Sequence, residues 1–323
     1  MVIAQAIALG IGFLLDIIFG NPNIFLHPIR LMGGLISLLE KIIRRIFPKG
    51  KAGEVIGGTL MVLIVIALSG GIPFAILFYL YNWNIFAAVA AESIICYFML
   101  STRSLGKKGS KIYSSLLNQD VNRARKEVSM IVRRDTDSLD DTGITKATVE
   151  TIAKNTCDGV VAPIIYMAIG GAVLGCVYRA INTMGSIVGC KNEKYLYFGK
   201  VAVKLDDIAN FIPSRIAARL MIISSYILGF NGKNASYIYK RDSKKYAGPN
   251  SARAESVIAG ALRIQLAGDA YYFGELYEKP MIGDAISNVT YDNIKQTSRI
   301  MYLTAVFTIV ILIALKFTVG YLI

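Results

Sequence analysis

One histidine and four cysteines in 323 residues leave little with which to build a metal centre or a redox site. Cys96, Cys157, Cys176 and Cys190 form no CxxC pair, and His27 alone gives no ligand set for structural zinc or haem. A disulfide framework is equally unsupported. No GxxxxGK[ST] loop, GxSxG elbow, HExxH helix or kinase signature occurs, so the common signatures for handling ATP or acyl groups are missing. Charge is absent from residues 55–91, and no internal repeat, low-complexity tract or Pro/Gly/Ser linker divides the chain.

What is abundant is apolar surface. With 54% hydrophobic residues, the solvent that best suits the chain's core is lipid. The uncharged stretch accommodates two spanning helices of about 20 residues each, turning at Tyr81–Asn84. Candidate spans are 2–19, 55–80, 84–101, 160–181 and 301–323, with 216–230 left open. The first has no cleavage-site signature and reads as retained. The fold class is therefore all-α: a polytopic integral membrane helical bundle of about four to six membrane-embedded helices with large polar cytoplasmic loops, forming a single membrane-embedded unit.

The formal net charge of +13 is concentrated in segments 41–51, 107–111 and 123–126. Lysine and arginine excess marks the cytoplasmic side, which places 20–53 and 102–159 in the cytoplasm of a multi-pass cell-membrane protein. Nucleic acid is not an expected partner, because these clusters lack a known reading motif. The lipid bilayer is one, and a homo-oligomer stays open.

Two polar stretches interrupt the apolar pattern. RRDTDSLDDTGITKATVETIAKNTCDGVVAP, from Arg133, alternates arginine with carboxylate, which suits joint binding of an anion and a metal-bound phosphate. A helix from Thr145 to about Asn155 is expected there, with Ser138, Asp140, Asp141 and Thr142 as capable N-caps; a capped surface helix is the plainer reading. Asn155 and Asp158 share a face if that helix continues, with Glu150 about a turn earlier. LDDIANFIPSR, from Leu205, places Asp206 or Asp207 and Asn210 on one helix face, with oxygen ligands at a spacing suited to magnesium, before Pro213 ends the helix and Arg215 follows. GPNSARAESVIAG, from Gly248, reads as a turn into a helix whose N-terminus holds Asn250, Arg253 and Glu255. His27, in an extended His-Pro step, reads more readily as a structural hydrogen-bonder than as a catalyst. A membrane transferase of the prenyl or alcohol-phosphate type would also hold magnesium on Asp-rich helix ends, and a transporter would use intramembrane acids.

In this order, GNPNIFLHPIRLMG, the Arg133–Gly175 stretch, RAINTMGSIVG, YFGKVAVKLDDIANFIPSRIAA and GPNSARAESVIAGALRIQLAG resemble the membrane-bound adenosylcobinamide-phosphate synthases of cobalamin biosynthesis, the CbiB/CobD type. The likeness runs nearly the whole length. It implies an ATP-dependent, magnesium-dependent ligase that joins aminopropanol or its phosphate to a propionate of adenosylcobyric acid. On that basis Asp135, Asp158, Asp206 and Asp207 are expected to hold magnesium and its phosphates, with Asn155, Asn182, Asn210 and Asn250 completing the cofactor-binding set. Arg134 and Arg215 would neutralise phosphoryl charge, and Glu150 or Glu255 would take the amine's proton. The chain departs from the family pattern at Tyr246 (histidine expected), Gly248 (serine expected), and Met184 and Gly185 (Leu-Asp expected).

Overall fold

The computed structural model describes residues 1–21, 27–47, 50–189, 194–246, 248, 250–272 and 274–322. Parts of the quoted motifs, residues 22–26 and 249, and the fourth cysteine, Cys190, lie outside them. The chain is helical almost throughout: α1 (Val2–Phe19), α2 (Pro28–Ile46), α3 (Lys51–Trp83), α4 (Ile85–Met99), α5 (Thr102–Leu117), α6 (Val121–Ser129), α7 (Asp141–Asn155), a π-helical turn (Thr156–Val161), α8 (Ala162–Val188), α9 (Lys200–Ala209), α10 (Phe211–Ile227), α11 (Gly232–Asp242), α12 (Ser251–Leu262) and α13 (Asp292–Leu322). Among the described residues between α12 and α13 lie four short strands, β1 (Leu266–Ala267), β2 (Ala270–Tyr272), β3 (Glu275–Tyr277) and β4 (Met281–Ile282). They pair antiparallel as β1 with β4 and β2 with β3.

Among the described residues five helical segments are long and apolar enough to cross a bilayer: Val2–Phe19, Lys51–Trp83, Ile85–Leu117, Asp141–Val188 and Asp292–Leu322. Each contains or largely overlaps an expected span, and the protein is a multi-pass helical membrane protein. Residues 216–230 fall mostly in α10, which at 17 residues is not among the five. The outward surface agrees with a lipid setting. On α1 the exposed residues Ile3, Ile7, Ile11, Leu14 and Ile18 recur at helical spacing, an arrangement unfavourable in water and ordinary against acyl chains. The expected hairpin turns at Asn84, whose side chain accepts from the backbone N–H groups of Phe86 and Ala87 and so caps α4.

The chain forms two compact units. The first comprises Met1–Ser101, Ala162–Asn210 and Ile309–Ile323; the second comprises Thr102–Val161 and Phe211–Thr308. In the first, α1 packs on α4, and α8 contacts α1, α2, α3, α4 and α9. In the second, α12 is the central element: its residues from Ala252 to Leu262 are all buried, and α7, α10 and α11 pack around it.

Local chemistry explains the element boundaries. Asp140 caps α7 by accepting the Gly143 N–H at 2.7 Å, so the helix begins at Asp141, four residues before the expected start. Pro213 does not end a helix as expected; it stands in the first turn of α10, where its missing N–H costs nothing, and the break falls at Asn210. The helix expected after Gly248 ends at Leu262, because Arg263 takes a left-handed conformation (φ 58°) and the chain turns into β1.

Within the first unit α8 is interrupted. Gly170 (φ −130°, ψ 29°) and Gly171 (φ 64°, ψ −166°) leave the helical region, and the freed N–H of Ala172 donates to Oε1 of Glu92 at 3.0 Å. Tyr81 donates its hydroxyl to the other oxygen of Glu92. An acid in a spanning helix is costly unless its oxygens are satisfied, and here each has a donor.

Candidate functional site

Six of the predicted residues fall into two clusters, one in each unit: Asn182, Asp206 and Asn210 in the first, Arg134, Glu150 and Glu255 in the second. In the first unit, α8 and α9 bring Asn182 and Asn210 onto Asp206: the Asn182 amide donates to Oδ1 at 3.2 Å and the Asn210 amide to the same oxygen at 2.9 Å. Asn210 is 2% exposed, and its own oxygen accepts from the Tyr178 hydroxyl at 2.9 Å. Tyr178 stacks on Tyr166 with ring centroids 4.8 Å apart, and Tyr166 donates to the Ala209 carbonyl at 2.9 Å. The result is a directed chain, Tyr178 to Asn210 to Asp206, that fixes the amide orientations and one carboxylate oxygen. Asp207 follows on α9.

Gly185, one of the departures, has a physical role in this cluster. A Cβ there would lie 2.8 Å from Cβ and 2.9 Å from Oδ2 of Asp206. The bare backbone lets Asp206 approach α8, and an aspartate at 185 would occupy the space Asp206 fills.

In the second unit the carboxyls belong to α7 and α12. Glu150 on α7 accepts the Ala267 N–H at 2.9 Å on Oε1, and its Oε2 lies 3.4 Å from Nη1 of Arg134. Ala267 has φ 66°, an uncommon conformation for a residue with a Cβ, so the hydrogen bond to Glu150 holds a strained backbone. Glu255 on α12 is 7% exposed and accepts the Tyr246 hydroxyl at 2.9 Å. Burial first, and then the Glu150 charge, push the Glu255 carboxyl up to about 8, against the opposing pull of Tyr246, Lys154 and Lys279. Burial beside the two carboxyls likewise drives the Tyr246 phenol well above its ordinary range.

The remaining predicted residues also have definite places. Asp135 accepts the Gly274 N–H at 2.7 Å, and its own N–H donates to the Tyr271 carbonyl at 2.9 Å, which ties it to the β2–β3 hairpin. Asp158 sits in the π-helical turn after Asn155, whose amide donates back to the Thr151 carbonyl at 2.9 Å. The turn replaces the regular helix that would align Asn155 with Asp158. Asn250 precedes α12 and accepts from the Ser214 hydroxyl at 3.1 Å. Arg215 lies over the Phe211 ring, 3.4 Å from its centroid, and donates to the Phe211 carbonyl. Partial burial and then the charges of Arg253 and Arg219 depress its basicity, the signature of guanidinium groups gathered in one place.

His27 caps α2, accepting the Ile29 N–H on Nδ1 at 3.3 Å with its ring edge against Phe98, in line with its structural reading. Sequence reasoning passed over Tyr178 and Tyr246. Tyr178 stands four residues before Asn182, one turn away on the same helix, a spacing that would have linked the two; Tyr246 was noted only as a departure.

Among the described residues no three of His, Cys, Asp and Glu form a group able to hold a metal. Magnesium carried by a nucleotide needs only one or two protein carboxylates, the rest of its shell being phosphate and water, and the adjacent Asp206 and Asp207 fit that demand.

A sequence model described as CobD/Cbib protein matches residues 9–301. The chain belongs to that family. Among curated CobD/CbiB relatives it is 41% identical to a protein of Clostridium perfringens named cobalamin biosynthesis protein CobD, over 95% of this chain and 96% of that one. It is 43% identical to a Listeria monocytogenes protein of the same name, over 91% and 93% of the two chains. A Salmonella typhimurium protein named cobalamin biosynthesis protein CbiB is 37% identical over 95% and 96%. No solved structure matches this CobD/CbiB family member.

Proposed function

We propose that this chain is a cobalamin-biosynthesis enzyme that joins the amine of (R)-1-amino-2-propanol, or of its O-phosphate, to a propionate of adenosylcobyric acid at the expense of ATP. The observation that carries the reading beyond the family is Glu255: a buried carboxyl, bonded to the Tyr246 hydroxyl and pushed up to about 8, on the central helix of the second unit. Amide formation needs an amine stripped of its proton. A base whose affinity for protons lies near the working pH accepts one without holding it too tightly.

The substrate propionate is itself unreactive toward an amine at neutral pH. One of its oxygens attacks the γ-phosphorus of ATP; the bond to the β,γ-bridging oxygen breaks, and ADP leaves. The amine nitrogen then attacks the acyl carbon, inorganic phosphate departs, and Glu255 takes the ammonium proton. Arg215, grouped with Arg219 and Arg253, supplies positive charge suited to a phosphoryl group, and Arg134 holds Glu150. Glu150 in turn keeps the proton affinity of Glu255 high. Asp206 and Asp207 would hold magnesium, which when bound neutralises phosphate charge; Asn182 and Asn210 keep Asp206 oriented.

The test is incubation of purified protein with adenosylcobyric acid, magnesium–ATP and either amine, reading corrinoid mass and nucleotide together. A mass gain equal to amide formation with ADP released supports the scheme. AMP in place of ADP would replace the acyl phosphate with an adenylate. No gain with either amine, in protein shown to be folded, would overturn the proposal.

A further inference from the structure

Helix α2 presents an apolar stripe that, among the described residues, no element of its own unit covers. Leu31, Leu38, Ile42 and Ile46 are exposed by 51%, 56%, 43% and 70%, and half-buried Leu35 falls between them. At 100° per residue these five side chains share one narrow arc. The adjoining arc carries Met32, Ile36 and Ile43, which are buried, and α2 packs on α3 and α8. On the other side the stripe is bordered by exposed Arg30, Lys41 and Arg45. The helix's only acid, Glu40, is turned inward, where Arg44 and Lys194 pair with it at 3.0 Å each. The outward rim is thus cationic alone.

Five charged residues keep α2 out of the set able to span a bilayer. We infer that α2 lies in the plane of the membrane interface, its Leu31–Ile46 stripe among the acyl chains and Arg30, Lys41 and Arg45 against anionic lipid headgroups. Three features select lipid as the occupant. The stripe belongs to the unit that carries the outward apolar face of α1, so a bilayer already adjoins it. Apolar residues along one edge and cations along the next match the layering of acyl chain and headgroup. A second copy of the chain seated symmetrically on the stripe would set the same cations against each other. This assignment extends the sequence-based placement of 20–53 in the cytoplasm and is independent of the ligation reaction.

The test uses the full chain in phospholipid nanodiscs. Trp83, the only tryptophan, is replaced by phenylalanine, and one tryptophan is introduced by Leu38→Trp, Ile42→Trp or Ser37→Trp, the last on the polar exposed face. Brominated acyl chains should quench Leu38→Trp and Ile42→Trp severalfold more than Ser37→Trp. Brominated phosphatidylglycerol should quench better than brominated phosphatidylcholine, a preference that Lys41→Glu with Arg45→Glu removes. In the unaltered chain, phosphatidylglycerol bearing a photoreactive acyl chain should label the peptide 28–46, which guards against variants that fail to fold. Equal quenching at 37 and 38, or an unlabelled 28–46 peptide, overturns the proposal. So does efficient disulfide cross-linking of Ile42→Cys to its counterpart in another copy, which would make the stripe a protein interface.

Discussion

Tyr246 donates its hydroxyl to Oε2 of Glu255 across 2.9 Å, at a position where the family pattern leads one to expect histidine. The bond opposes both burial and the Glu150 charge, which raise the Glu255 carboxyl. Tyr246→Phe should therefore raise it further while leaving a buried oxygen short of a donor. The alkaline rise of the ligation rate should move to higher pH, and the cost in stability should be about 1–3 kcal/mol by thermal unfolding in detergent. Tyr246→His supplies a donor again and should restore most of both; an unmoved pH profile in Tyr246→Phe would remove Tyr246 from the account.

Glu255 itself gives a test with a definite sign. Its folded proton affinity lies above the unfolded one, about 8 against 4.5, so the protonated carboxyl is favoured by folding. The associated stability is complete below pH 4.5 and lost as pH rises through about 8. Glu255→Gln cannot ionise: its unfolding temperature relative to the parent should rise between pH 5 and pH 9. Over the same range ligation by the parent should climb to a plateau, whereas Glu255→Gln should lose about 10²–10⁴-fold in rate and the pH dependence with it. Parallel pH profiles for the two proteins would disprove the assignment.

Much of this architecture was legible in the sequence, because charge-free runs of spanning length have few alternatives. The hairpin through Asn84 and the helix after Asp140 follow from hydropathy and capping alone. The π-helical turn at Thr156–Val161 was not legible: it depends on packing with α5 and α10, which are distant in sequence, and local propensity carries no sign of it. The break at Gly170 and Gly171 was not legible either: the backbone leaves the helix there because Glu92 accepts the freed N–H from another helix. Among site residues, spacing paired Asp206 with Asn210 on one face; the part played by Tyr178 required knowing that α9 folds back on α8.

Asp206 receives two amide donors on one oxygen, so Asp206→Asn would set an amide nitrogen or a neutral oxygen where a carboxylate is solvated. Asp207→Asn leaves that arrangement untouched. Both substitutions should raise the magnesium–ATP concentration needed for half-maximal ligation, and Asp206→Asn alone should also lower the unfolding temperature. Asn210→Ala, acting through Asp206, should cost about 10–100-fold in kcat/KM. Parental magnesium dependence in both aspartate variants would show that the metal is held elsewhere.

The break in α8 depends on Gly171 twice. Its φ of 64° is strained for any residue with a Cβ, and a Cβ there would lie 2.5 Å from Oε1 of Glu92 and 2.8 Å from Nε2 of Gln5. Gln5 is also held, accepting from Nζ of Lys316 at 3.0 Å. Gly171→Ala must therefore displace the carboxylate that accepts the Ala172 N–H, and both the strain and the orphaned donor act in one direction. The expected loss is about 2–5 kcal/mol, combining roughly 1–2 for backbone strain with 1–3 for an unsatisfied buried group. Glu92→Gln keeps an oxygen for Ala172 but places an amide where Tyr81 donates, so it should cost less than Gly171→Ala. Unfolding temperatures in one detergent decide the order. If Gly171→Ala proves as stable as the parent, α8 runs through this position as an ordinary helix and Glu92 does not cap it.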